Sequence, residues 1–248
     1  MSSSHRLLVL SIVCLVALPG LAGGRRRAAS SPGAAANPGG DCFTFGLIRA
    51  GLKASYLTTQ ASGNVSYTIT YISDNGTQVH TTQHVTTPQA TADADTILDT
   101  EIVGPLRAVR HFNVKTTTTV PILGASTVEA DVNFVPSWIS GPAQGWCTGA
   151  TWDISPVTQT LVSTTAFGQT TSVVTTLASQ GTVLSAADSI TVPAGTFSCV
   201  KHRATVISGS TLSPAIAWTS REYGVTVRQD TLDQNGNVTS VTELQSIQ

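Results

Sequence analysis

Charge is what this chain lacks. Only 11% of its 248 residues are Asp, Glu, Lys or Arg, against about 25% in an ordinary globular domain. Four of the 13 basic residues, Arg6, Arg25, Arg26 and Arg27, lie at the amino end, and the remainder carries nine basic and 14 acidic residues, a net charge of −5. Such a surface has no electrostatic footprint for nucleic acid or for an anionic membrane. Methionine occurs once, and Glu, Lys and Leu are scarce, which leaves little from which to build helices. No G-x-S-x-G, H-E-x-x-H or Gly-rich phosphate loop is present, so the signatures of α/β-hydrolases, zinc proteases and P-loop enzymes are missing. No cofactor is expected, and no catalytic residue is assigned.

Polarity comes instead from Ser and Thr. The chain holds 38 threonines, more than all its acidic and basic residues together. Thr is β-branched, fits a pleated surface and tolerates water. Apolar residues make up 41%, enough for a core. Turn signals recur between Val- and Thr-rich runs: Ser62-Gly63-Asn64, Asp74-Asn75-Gly76, Pro193-Ala194-Gly195 and Asp233-Gln234-Asn235-Gly236. Asn-Gly between such runs is the strongest short hairpin signal. The expected fold is all-β with little helix: curved antiparallel sheets, a half-barrel or a sandwich, built from two meanders. The acidic run Thr91–Gly104 reads as a short helix or a loop. Pro136–Asp153, rich in Gly, Pro and Trp, reads as an irregular link between the halves. The closing hairpin ends the meander, with Arg228, Asp230 and Glu243 on a wet face and Val225, Val227, Val238 and Leu244 supplying apolar contacts.

The amino end reads as a signal peptide, residues 1–24. Arg6 precedes the apolar run Leu7–Leu18, and the small residues after Pro19 offer cleavage after Ala22 or Gly24. That run is shorter than the about 20 apolar residues a spanning helix needs, so no stable membrane span is expected after cleavage. Arg25, Arg26 and Arg27 oppose export of the chain on their carboxyl side, which leaves an uncleaved anchor as the other reading. Residues 25–40 read as a disordered linker, and 41–248 as a single all-β domain. The expected location is secreted or periplasmic. Three cysteines then meet an oxidising compartment. Cys42 and Cys147 stand at segment starts in polar, Gly-rich surroundings and are the favoured disulfide. Cys199, inside the strand-like Thr196–His202, reads as buried. Spacing alone leaves the other pairings open.

The run Val-Pro-Ala-Gly-Thr-Phe (192–197), the later Trp-Thr-Ser (218–220) with Tyr-Gly-Val-Thr-Val-Arg (223–228), and Cys-Thr-Gly-Ala-Thr-Trp (147–152) resemble the carboxy-terminal part of exported bacterial all-β proteins of unknown function. The resemblance covers mainly 147–247. It implies a curved antiparallel sheet, similar in kind to the half-barrels of periplasmic lipoprotein carriers. It implies no catalytic residue, and its motifs are structural, with Pro193-Ala194-Gly195 as a turn and Phe197 as a core anchor.

Candidate sites are few. His80 and His84 are four apart, but on a strand at about 3.3 Å per residue their rings sit roughly 13 Å apart and cannot share a metal. Asp93, Asp95, Asp99 and Glu101 lack the Gly and ligand spacing of a calcium loop and read as a solvated acidic stretch. No metal site is expected. Glu222, between Arg221 and Tyr223, is a carboxylate beside an aromatic residue, and an Arg–Glu surface pair explains it equally. Trp138, Trp146, Trp152 and Trp218 are the largest apolar groups; they either line a ligand site or plug the open end of a sheet. The functional expectation is a non-enzymatic binding module for a lipid or other hydrophobic molecule. The alternatives are a structural or surface-interaction protein facing an extracellular macromolecule, and a secreted hydrolase. Of the three, the first requires a lined cavity, the second a filled core with an exposed edge or patch, and the third paired titratable groups in a cleft.

Overall fold

The computed structural model describes residues 41–248, apart from 88, 122, 123 and 166, and no helix occurs among the described residues. The expected signal peptide and linker lie outside the described residues. A short strand β1 (Cys42–Phe43) precedes β2 (Lys53–Gln60), β3 (Val65–Asp74), β4 (Gln78–Thr86), β5 (Thr91–Val103), β6 (Leu106–Val120) and β7 (Gly124–Pro142). A second short strand, β8 (Trp146–Cys147), leads to β9 (Thr151–Thr165), β10 (Thr170–Val192), β11 (Gly195–Ser208), β12 (Thr211–Ser220), β13 (Thr226–Leu232) and β14 (Val238–Ile247).

Twelve of these strands form a closed barrel in which each neighbours the next along the chain. All pairings are antiparallel, and β14 returns to β2 through Ser240↔Gln60 to Ile247↔Ala54. Closure corrects the expectation of a half-barrel or sandwich. The final hairpin is not an ending but the seam. Its Asp233 carboxylate accepts the amides of Asn235 and Asn237, each at 2.8 Å, which fixes the turn. Around that hairpin Val225, Val227 and Leu244 are buried, but Val238 is 53% exposed, against expectation, because it opens the strand at the rim.

Period-two alternation builds the wall. On β2 the inward Ala54, Tyr56 and Thr58 are buried between more exposed neighbours. β5 does the same with Ala92, Ala94 and Thr96 inward and Asp93, Asp95 and Asp99 outward. The acidic run is therefore a strand, not a helix or loop. The link over 136–153 is also corrected: β7 runs through Pro142, β8 is a strand, and β9 begins at Thr151. There is one continuous meander, not two.

The outward residues decide what the barrel faces. Asp93, Asp95, Lys115 and Glu129 are exposed on adjacent strands. A membrane-spanning barrel would present an apolar band there; on these three strands the outward face carries charge instead. Two packed clusters fill it. One joins Tyr56, Tyr67, Ile69, Tyr71, Val79, Cys199, Val227 and Leu244, among others. The second joins Phe45, Phe112, Val132, Phe134, Val157, Val183 and Val200 with three of the four tryptophans.

Candidate functional site

A plug occupies one end. β1 and β8 form a two-stranded ribbon in which Cys42 pairs with Cys147 and Phe43 with Trp146. The Cys42–Cys147 disulfide closes it, as the sequence suggested. Backbone hydrogen bonds dock the segment after β8 onto β10: Gly149 donates to Val183 and Val183 donates to Ala150, both at 2.8 Å. An aromatic chain continues inward from the ribbon. Phe43 meets Phe45 at 5.0 Å, Phe45 meets Trp146 at 5.5 Å, and Trp146 meets Trp152 at 5.7 Å and His202 at 5.2 Å. Trp138 belongs to the same cluster through Phe134. Trp218 lies apart, with its indole N–H donating to Asp188 at 3.1 Å and the cations of Lys201 and Arg228 over its ring. No tryptophan is more than 9% exposed. The structure thus brings three of the four expected ligand-lining residues together and leaves Trp218 separate.

The plug needs glycine in the wall. A Cβ built on Gly141 would lie 2.7 Å from the Trp146 ring, and one on Gly181 only 1.9 Å from that of Trp152. Gly181 and Trp152 are also cross-strand partners, so the indole lies flat where a side chain would stand. Gly181→Ala is expected to destabilise by about 2 kcal/mol through overpacking. Adding Trp152→Leu should remove most of that increment, since the clashing ring is gone. Denaturant unfolding of both variants and of Trp152→Leu alone checks this; strict additivity would contradict the contact.

His202 stands against this aromatic wall. It is buried, its Nδ1 has no hydrogen-bond partner among the described residues, and burial pushes its pKa down to about 4. Cys199, buried on the same strand, has its thiol pushed up to about 12 by burial. It is the free cysteine of the described part and, being protonated and enclosed, is a poor nucleophile.

A cleft of about 470 Å³ opens between the two motif turns, lined by residues 194–198, 220–223 and Ile247. The turn after β10 reaches across to β14, with Ala194 N–H donating to the Leu244 carbonyl at 3.1 Å. The turn after β12 is held by Ser220 Oγ, which accepts the amides of Glu222 and Tyr223 at 3.3 and 3.2 Å. Arg221 donates its amide to Ser198, and its guanidinium lies 4.5 Å over the Phe43 ring. No carboxylate forms an ion pair with Arg221 among the described residues. Glu222 instead hydrogen-bonds Tyr223, whose phenol is thereby raised. The cleft is lined by one cation, Arg221, one carboxylate, Glu222, two serine hydroxyls and the rings of Phe197 and Tyr223. That set can hold a polar or anionic group by hydrogen bonding.

The outer face of β4 to β7 carries three histidines. His80 Nε2 lies 2.7 Å from Asp95, and His84 Nδ1 lies 2.7 Å from Asp93. Each histidine thus has its own carboxylate, and no metal-binding group of three occurs among the described residues. Glu101 is exposed and hydrogen-bonds Ser137. His111 bridges Asp99, at 3.2 Å, and Asp131, at 2.9 Å, across three strands, with Arg110 on the far side of Asp99. Partial burial opposes charge on His111, but its hydrogen bonds to the carboxylates of Asp131 and Asp99 outweigh it and its pKa is raised. A raised pKa means stability present below the unfolded value of about 6.5 and lost as pH climbs through the folded one. Asp99, lowered first by its hydrogen bond from Gln78, contributes in the opposite sense: above about pH 4, lost on acidification. His111→Gln is expected to cost under about 1 kcal/mol near pH 5.5 and close to nothing near pH 8.5. Urea titrations at the two pH values test it, and an equal loss at both would contradict the assignment.

The sequence alone singles out none of His111, His202 and Arg221. Nothing local marks them: each acquires its role from residues on other strands. The Arg221-Glu222-Tyr223 run stands out in the sequence for its acid rather than its cation.

Residues 156–244 match the family model described as DUF3108-like, a stretch from within β9 to β14. No curated protein matches. Two solved structures show a distant likeness. One is a candidate lipoprotein from Parabacteroides distasonis ATCC 8503, at 14% identity and a TM-score of 0.39, covering 84% of this chain and 100% of that one. The other is a candidate exported protein with a YmcC-like fold from Bacteroides fragilis NCTC 9343, at 9% identity and a TM-score of 0.36, again covering 84% and 100%.

Proposed function

We propose that this is an extracytoplasmic, non-enzymatic binding protein that engages its partner from outside the barrel. The observation that carries this reading is the filled interior. Two side-chain clusters and the disulfide ribbon occupy the space a carrier would leave for its cargo. The disulfide and the expected leader support an oxidising location. The cleft around Arg221, Ser198 and Tyr223 offers a contact region, and a polar or anionic surface group of an extracellular macromolecule is the chemistry it fits. A hydrophobic molecule held against Trp138, Trp146 or Trp152 would require the plug to move first. Native mass spectrometry with solvent extraction separates the two. The expected result is the mass of the bare chain with no lipid released. A lipid bound in stoichiometric amount would overturn the surface reading and restore the carrier. Chemical crosslinking in an envelope extract should then yield adducts that Arg221→Glu abolishes.

A further inference from the structure

β10 is the longest strand of the barrel, and it outruns its neighbour on one side. Thr170 to Thr176 pair with β9, from Thr170↔Thr164 to Thr176↔Thr158. β11 joins only at Leu177↔Ser208. Seven residues, Thr-Thr-Ser-Val-Val-Thr-Thr, therefore present a strand edge with no partner among the described residues. This is one of the places where the closed wall leaves a strand edge unpaired among the described residues. Natural sheets blunt such edges with charge, proline, bulges or a covering segment. This one has no charged residue and no proline, and its pairing with β9 runs without a register shift from Thr170 to Leu177. Val173 and Val174 point to opposite faces and are 52% and 65% exposed.

We infer that this edge is a self-association surface, and that its occupant is the same edge of a second copy of the chain, paired antiparallel about a two-fold axis. The inference is independent of the cleft and of the proposed function. The first argument is symmetry. A two-fold axis through Val173 sets that residue against its own counterpart, Thr170 against Thr176 and Thr171 against Thr175, with Ser172 facing Val174. Cross-strand pairs of β-branched residues are favourable. The second argument is charge. Self-pairing brings both copies of every residue into one short ladder, so any charge in the run would be doubled there; the run has none. The third is length. Seven residues match an ordinary strand of 5–6 or slightly more, enough to continue the sheet from one barrel into the next. A contact this small falls at the weak end of specific interfaces, so the dimer should form reversibly at micromolar concentration.

The test is sedimentation equilibrium of the purified protein. Its weight-average mass should climb toward twice the monomer's as concentration approaches about 100 µM. Val173→Lys, which puts like charges face to face, should hold the mass at one chain throughout with an unchanged far-ultraviolet spectrum. Val173→Cys should form an intermolecular disulfide on mild oxidation much faster than Val238→Cys, which is equally exposed on another hairpin. A wild-type protein that stays monomeric at the highest concentration overturns the inference. So does a dimer that survives Val173→Lys, or a Val173→Cys variant that crosslinks no faster than the control. A monomer whose edge binds an added extended peptide would give the edge a different occupant and likewise overturn it.

Discussion

Replacing Cys42 and Cys147 by serine is expected to lower the stability of the folded chain by about 4–5 kcal/mol. The crosslink spans 105 residues, and closing a loop of that size in the unfolded chain removes about that much conformational freedom in the chain-entropy account. The folded state then has little with which to compensate. β1 has two residues, and its partner strand has two. Outside that pairing, the ribbon is tied by single hydrogen bonds such as Thr148 N–H to Asp41 O at 3.1 Å and Gly145 N–H to Thr44 Oγ1 at 3.1 Å. Once cut, Phe43 and Phe45 can leave the aromatic chain, and Trp146 loses its edge contact with Phe45. Thermal melting should fall by roughly 10 °C or more, since 1 kcal/mol corresponds to about 2–4 °C at this size. Comparison of the double variant with the oxidised protein measures it, and the reduced wild type should match the variant. A shift of only one or two degrees would mean that the ribbon docks without its crosslink.

The second large effect is acid lability centred on His202. Its pKa is depressed to about 4 by burial, while in the unfolded chain it returns to about 6.5. Above that value both states are neutral and pH has no leverage. As pH falls from about 6.5 toward 4, the unfolded state takes up a proton that the folded state refuses. Stability is lost throughout that window, by about 3 kcal/mol in all. His111 works the other way over part of the range, but it is partly exposed to water and weaker. His202→Phe keeps an aromatic ring against Trp146 and Trp152 and cannot titrate. Urea unfolding from about pH 7.5 down to 4.5 should show a steep decline for the wild type and a shallower one for the variant. Parallel curves would place the acid sensitivity elsewhere, among the carboxylates.

Much of the wall could be read from the sequence because strand signals are local. Val225, Val227, Val238 and Leu244 were expected to supply apolar contacts from the pattern of the final hairpin, and all but Val238 are buried. Asp74-Asn75-Gly76 turned where its chemistry said it would. β5 was missed because Ala and Asp are poor strand formers, although Ala92, Asp93, Ala94 and Asp95 alternate with the right period. The Pro136–Asp153 stretch defeated local reading for a different reason. Its prolines and glycines look like a loop, yet Gly141 is where it is because Trp146 presses against it. Closure was invisible for a third reason: no short segment announces that its partner lies at the other end of the chain. The disulfide was legible from the company its cysteines keep. The cleft was legible as two motifs but not as one place, since only the fold brings Ala194–Ser198 beside Ser220–Tyr223.

The seam has a consequence for how the molecule comes into being. Lys53 and Gln248 exchange backbone hydrogen bonds at 3.0 and 2.9 Å, and Thr58 meets Thr242 across 184 residues. Every other pairing in the wall can zip up locally as the chain emerges, but β2 must wait, with one side bare, until the last strand is made. Such long-range pairing slows folding and prolongs the life of sticky intermediates. A nascent chain threading across a membrane would hold that raw margin open for the whole transit, which is when a chaperone or a misplaced neighbour has its chance.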